Sequence, residues 1–234
     1  QLSAAALAAC AGPEHFGKRD GGAGGGAGAD DPGGDTAAGG DTGDTGAASD
    51  WTDACDDGTQ ALPDDCARPT PFASEGPFLR SDVPERADLN VRGEDGQVLV
   101  VTGRVLDAQC APVAGVTLTI WMAGGDAAFY DVDSPDAQLY GKQTTGDDGA
   151  VCFSTLRPVP YGEPGQELPA HIHVAGEKDG RRVLTTQLYF EGDPYLAGEP
   201  IPPELVVAPV SQPDGSELLA FDFVLPARSA RVGA

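Results

Sequence analysis

From residue 97 onward, apolar and polar positions alternate with the two-residue period of a half-buried β-strand. Residues 97–106 are β-branched and apolar between turn residues. Residues 113–121 repeat the pattern, with Val116, Leu118 and Ile120 on one face. Residues 107–112 between them predict a turn. Asp147-Asp148-Gly149 predicts a tight turn that launches a strand over residues 150–156. Further strands are expected over 170–174, 183–190 and 218–225. No long 3.6-residue stripe interrupts them, so the chain from Thr70 reads as an all-β fold, an antiparallel β-sandwich with long functional loops. About 160 residues suffice to bury one core.

The upstream part has a different texture. Residues 11–50 hold 14 of the 33 glycines, interleaved with Asp, Thr and Ala. Such a stretch has almost nothing apolar to bury, so it cannot offset the entropy of ordering its backbone. Residues 11–69 are therefore expected to be a disordered, acidic, self-repelling linker, leaving 70–234 as the folded domain. Residues 1–10, QLSAAALAAC, form a small apolar run ending at Cys10. They resemble the end of a bacterial lipoprotein signal, whose cysteine becomes lipid-modified; an ordinary secretory peptide is the alternative. Either reading exports the protein, and the first tethers it to the cell envelope by a lipid on Cys10.

Charge narrows the partners. A formal net charge of −23 argues against nucleic acid, whose phosphates require clustered Lys and Arg. The 33 Gly and 20 Pro exclude a helical bundle or coiled coil. Besides Cys10 there are Cys55, Cys66, Cys110 and Cys152, with no CxxC pair. An even number in an exported chain predicts two disulfides. The short Cys55–Cys66 loop is entropically the easiest to close, which would leave Cys110–Cys152.

Candidate chemistry centres on scarce residues. Of three histidines, His15 lies in the linker and two form His171-Ile172-His173. On a strand both imidazoles project to one face while Ile172 packs inward, which makes half of a metal site. The other donors must be carboxylates or phenols, since the cysteines are expected to be oxidised. Tyr161, in a Pro-rich loop shortly before that strand, and Tyr130, in a Gly- and Ala-rich loop after Trp121, are placed where functional groups gather.

Several blocks together carry a resemblance. They are Ser74-Glu75-Gly76-Pro77-Phe78, the Val105-Leu106-Asp107 to Cys110-Ala111-Pro112-Val113 turn, and Ile120-Trp121. With them stand Gly141-Lys142-Gln143-Thr144-Thr145, Pro169-Ala170-His171-Ile172-His173, and Thr186 to Pro194. In this order they resemble the intradiol ring-cleavage dioxygenases of the protocatechuate and secreted catechol type. The resemblance implies a non-haem Fe(III) centre held by Tyr130, Tyr161, His171 and His173, with a small aromatic diol and O₂ as substrates. Phenolate is a hard anionic donor suited to ferric iron. By the family's mechanism Tyr161 leaves the metal as the diol binds and takes up a proton, and Gln187 orients the substrate. The product would be a muconate-type diacid.

One position departs from the family pattern. Arg usually stands three residues before the first metal histidine; here it is Leu168. An alkyl group cannot stabilise developing negative charge. Arg80, Arg157 and Lys142 are candidate substitutes. Two alternatives follow: an iron site with altered chemistry, or a non-catalytic β-sandwich binding module displayed on the linker.

Overall fold

In a computed structural model of the chain, the described residues are Cys55, 62–63, 65–124, 132–198 and 200–227. All lie in one compact unit, residues 49–234. Cys10, most of the expected linker, and Tyr130 fall outside the described residues.

Among the described residues ten strands form: β1 (Val98–Leu106), β2 (Thr117–Met122), β3 (Tyr140–Thr144), β4 (Ala150–Leu156), β5 (His171–Lys178), β6 (Arg181–Phe190), β7 (Val206–Val207), β8 (Val210–Ser211), β9 (Glu217–Ala220) and β10 (Phe223–Val224). One sheet is built around β1, which pairs with β4 on one edge and with β9 and then β10 on the other; β8 follows β9. The second runs β3-β2-β5-β6-β7. The expected sandwich is present, but its sheets are mixed, because β1–β9, β1–β10 and β6–β7 are parallel pairs. After β6 the chain reaches β7 through a loop and pairs with β6 in parallel, whereas β8 and β9 form an antiparallel hairpin that sets β9 parallel to β1.

Alternation decides which side chains meet. Leu99, Val101 and Val105 of β1 and Val151 and Phe153 of β4 face Leu118 and Ile120 of β2, Ile172 and Val174 of β5, and Leu188 of β6. The stretch expected as one strand over 218–225 is broken at Phe221 and Asp222. Phe221 donates its N–H to the Thr102 carbonyl (2.9 Å). The Asp222 carboxylate accepts from the Arg104 backbone N–H (3.0 Å). A Cβ on Gly103 would lie 1.8 Å from the Phe221 carbonyl oxygen, so the crossing requires glycine there.

Residues 84–89 strap one edge of the sandwich. Lys142 of β3 donates to the Pro84 carbonyl and accepts from Arg86 N–H (both 3.1 Å), while Ser154 of β4 donates to Ala87 and accepts from Leu89 (both 2.9 Å). The side chain of Gln143 adds a link between the sheets, accepting from Cys152 N–H (2.9 Å) and donating to the Cys152 carbonyl. Backbone groups that would otherwise form open edges are thereby paired.

The disulfides differ from the expected pairing. Cys55 is bonded to Cys152 and Cys66 to Cys110, with Cα separations of 5.7 and 5.3 Å. The loop-entropy argument weighed chain length alone, whereas packing sets the partners. Thr70 pairs with Val224 through N–H···O and Oγ1···H–N bonds (both 2.9 Å), which lays residues 65–70 beside β10. Cys66 is thereby buried against Leu106 and Val224, next to the Cys110 turn. Cys152 lies between the inward Val151 and Phe153, so it faces away from the core toward Cys55.

Candidate metal centre

His171 and His173 open β5, with Ile172 fully buried between them in the core. Their outward face is nonetheless dry: they are 5% and 3% exposed. The strand register explains this. His173 lies opposite Trp121 of β2 on one side and Gln187 of β6 on the other, and His171 lies opposite Tyr189. Trp121 stacks on His173 with ring centroids 4.8 Å apart and planes 5° apart. Tyr189 and Tyr161 each tilt against His171 at 5.6 Å.

A segment laid across the sheet completes the enclosure. Ala73 donates to the Thr185 carbonyl (3.2 Å), and Thr186 Oγ1 donates to the Pro71 carbonyl (2.8 Å). Gly76, at φ +68°, approaches so closely that a Cβ there would lie 3.0 Å from His173 Cε1. Side chains other than glycine are strained in that left-handed conformation as well as crowded by the ring. Further along, Tyr140 donates its hydroxyl to the Phe78 carbonyl (3.0 Å).

The imidazoles are arranged as a pair of donors. His171 Nδ1 is 2.7 Å from the Pro169 carbonyl oxygen. A carbonyl only accepts, so Nδ1 carries the proton and Nε2 of the neutral ring presents a lone pair. That Nε2 lies 3.1 Å from His173 Nε2. Two imidazole–metal bonds of about 2.1 Å meeting at a right angle would place their nitrogens about 3 Å apart. A histidine whose second nitrogen is fixed by a backbone carbonyl is the usual arrangement around a metal. Burial pushes the pKa of both rings down; the Pro169 carbonyl partly opposes this at His171, and the neighbouring His171 depresses His173 further. Both rings are neutral at pH 7 and competent as ligands.

Among the described residues, no third His, Cys, Asp or Glu joins the pair as a cluster. Asp193, the acid that acts on His171 electrostatically, uses Oδ2 to accept from Ala170 N–H (2.8 Å) and so fixes the chain entering β5. Tyr161, tilted against His171, offers a donor of another kind. It is held by a two-bond bridge to Leu168 (N–H···O 3.2 and 2.7 Å), which ties the loop carrying the phenol to the residues just before the histidines. The donor set on the page, two neutral imidazoles and a phenol, fits a hard, oxidised metal such as ferric iron.

Gln187 is 6% exposed. It donates from Nε2 to the Ser74 carbonyl (2.5 Å), and its Oε1 accepts the Tyr189 hydroxyl proton. The candidate cations stand elsewhere. Arg157 forms a two-pronged bridge to Glu217 (2.9 and 2.7 Å) and lies over the Phe190 ring. Arg80 bonds Asp82 (both 2.9 Å) and the Ser134 carbonyl (2.5 Å), and Lys142 lines a separate cavity. Trp121, Tyr189 and Gly76 stand in the blocks that carry the resemblance, but the sequence assigned them no role at the site. Their contacts with the histidines come from cross-strand register or a chain crossing, neither of which exists until the strands are paired.

Comparison with known proteins identifies the family. A family described as dioxygenase matches residues 74–227. The chlorocatechol 1,2-dioxygenase of Rhodococcus opacus is 34% identical over 186 residues, 67% of this chain and 72% of that protein. The hydroxyquinol 1,2-dioxygenase of Rhizobium sp. (strain MTP-10005) is 35% identical over 147 residues, 54% of this chain and 49% of that one. Among solved structures, the dioxygenase domain of a dioxygenase–carbohydrate-binding fusion from Streptomyces sp. SirexAA-E superposes with a TM-score of 0.60. It is 37% identical, with 68% of this chain and 99% of that one covered. The sandwich, the buried histidine pair and these matches lead to one conclusion: the chain belongs to the intradiol ring-cleavage dioxygenase family.

Proposed function

We propose that the protein binds non-haem Fe(III) through Tyr130, Tyr161, His171 and His173 and cleaves a catechol-type ring between its two hydroxyl-bearing carbons. Both atoms of O₂ enter the product, a muconate-type diacid. The observation that carries this reading is the pair of buried, neutral imidazoles with Nε2 atoms 3.1 Å apart. When bound, the ferric ion supplies a Lewis acid that holds the diol as its dianion and makes the ring reactive toward O₂.

The chain's own groups do the rest. The Pro169 carbonyl holds the His171 Nδ1 proton, and Trp121 fixes the plane of His173, so neither ring reorients as substrate enters. The Tyr161 phenolate accepts one diol proton at its oxygen. Its loop is exposed from Gly162 to Gln166, which leaves the phenol room to swing. Tyr189 and Ser74 hold the amide of Gln187 in one orientation beside His173, preset to meet a substrate oxygen. The buried face under residues 71–78 keeps bulk water from the reacting ring.

The test is purification with iron, followed by visible absorbance before and after adding catechol, and then oxygen uptake with catechol, hydroxyquinol and protocatechuate. A tyrosinate-to-iron band that moves to longer wavelength, with stoichiometric O₂ consumption, is expected. A colourless iron-loaded protein would refute the assignment. A second reading, the same iron with altered chemistry, rests on Leu168. Leu168→Arg is expected to raise kcat about tenfold or more, since one well-placed charged group is worth that much to a developing anion. A flat response with full iron occupancy would favour the altered chemistry.

We also propose export with a lipid on Cys10. The two disulfides support an oxidising compartment. Radiolabelled palmitate incorporation that disappears in Cys10→Ala checks the anchor.

A further inference from the structure

The face of the second sheet that carries the histidines continues beyond them. On β5 the outward positions run His171, His173, Ala175, Glu177, and on β2 they run Trp121, Thr119, Thr117. Past Trp121 and Ala175 the aromatic cover ends, and the sheet opens into a cavity of about 410 Å³ beneath residues 79–83. Its floor is a row across three strands, Lys142, Thr119 and Ala175, paired in register. Directly opposed residues of this kind hold their Cβ atoms about 5 Å apart. Leu79 and Val83 supply an apolar wall, and Ser81 lies at the rim.

Among the described residues three cations and one carboxylate, Glu177, line this space, and two of the cations are already engaged. Arg80 is bonded to Asp82, and Arg182 is paired with Glu177 (3.2 Å) and with Glu75. Lys142 is different. Its backbone is clamped between Pro84 and Arg86. Among the described residues its ammonium meets no carboxylate and no hydrogen-bond acceptor, and the Thr119 hydroxyl beside it is likewise unbonded. In a chain with a net charge of −23, a half-buried lysine with no counter-charge among the described residues, lining a concavity with one apolar wall, is suited to an anion from outside.

We propose that this cavity binds a small organic acid. The carboxylate rests on Lys142 Nζ and accepts from Thr119 Oγ1, and the apolar body lies against Leu79, Val83 and Ala175. One disengaged ammonium matches one carboxylate. No guanidinium fork is left over for the several oxygens of a phosphate. Ala175 is two residues from His173, roughly 7 Å along the strand, with Trp121 packed between, so the cavity is distinct from the metal centre and its occupancy needs no iron.

The experiment uses the full chain free of metal, with benzoate as the probe and amide NMR shifts as the readout. Saturable shifts at Thr119, Lys142 and Ala175, with a dissociation constant of about 1 mM or tighter, are expected. They should weaken with salt, fall at least tenfold in affinity in Lys142→Met, fall in Thr119→Val, and persist in His173→Ala. Benzyl alcohol, the uncharged analogue, and inorganic phosphate should bind at least tenfold more weakly. Absence of saturable shifts, equal binding by Lys142→Met, equal binding of phosphate, or loss of benzoate binding in His173→Ala would each overturn the proposal. None of these results bears on the ferric reading, which is tested by absorbance of the iron-loaded protein.

Discussion

The outward faces of the two sheets are held down by different means. Around β1 and β4 the ties are covalent and ionic: the Cys55–Cys152 bond, the Cys66–Cys110 bond, and the Arg104–Asp222 and Arg157–Glu217 bridges, both 2.7 Å. Over β2 and β5 the ties nearest the histidines are aromatic and steric, Trp121 against His173, Tyr140 beneath Arg80 and the close approach of Gly76, and the ion pairs of Arg182 with Glu177 and Glu75 stand further along the face. A reacting centre needs low polarity and fixed ring planes, which stacked aromatics provide and solvated ion pairs do not. A face with no chemistry to host is free to be held by cross-links. Each face carries the kind of bond that its task requires.

That division is open to direct attack, beginning with the site. His173→Ala should remove iron and ring-cleaving activity to background while leaving the thermal transition within a few degrees, because the sheet below it is intact. Metal analysis and calorimetry together check this. Joint replacement of Cys55 and Cys152 by Ser should do the opposite, lowering stability by about 2–5 kcal/mol in urea titrations while the visible spectrum of the iron form is unchanged. Gly76→Ala sits between the two. It should cost about 1–2 kcal/mol through its positive φ and also shift the ferric absorbance, because the added methyl presses on the His173 ring.

The smallest effect is that of pH on the metal-free protein. Both histidine pKa values are lowered by burial, so below about pH 6.5 the unfolded chain binds protons that the folded one refuses. Stability should be level above that pH and decline as pH falls below it, and His173→Ala should flatten the decline. An unchanged slope would mean that the imidazoles are not held neutral by the fold.

Much of this was legible in the chain. The His171-Ile172-His173 alternation specified one outward face, and the β-branched runs of β1, β4 and β6 announced themselves. β3 did not, because Gly141, Lys142 and Gln143 carry no apolar signal; it is a strand through pairing with β2 and the 84–89 strap. Disulfide partners stayed hidden because Cys66 is placed by packing against Leu106 and Val224, contacts that loop length does not encode. The Trp121 stack and the Tyr189–Gln187 bond are products of register, which only the folded sheet defines. Tyr161 could be named from its motif, but its fixing by Leu168 needed the bridge between two loop ends.

The Cys55–Cys152 bond has a mechanical consequence. Tension applied to the chain upstream of Cys55 is delivered through sulfur to the middle of β4, a strand hydrogen-bonded along its length to β1. The load bypasses residues 66–89, the stretch that lies over the histidines and straps the sandwich edge. A pull strong enough to peel that stretch from an uncross-linked protein would here be borne by the paired strands β4 and β1, and the reaction chamber would stay shut under strain.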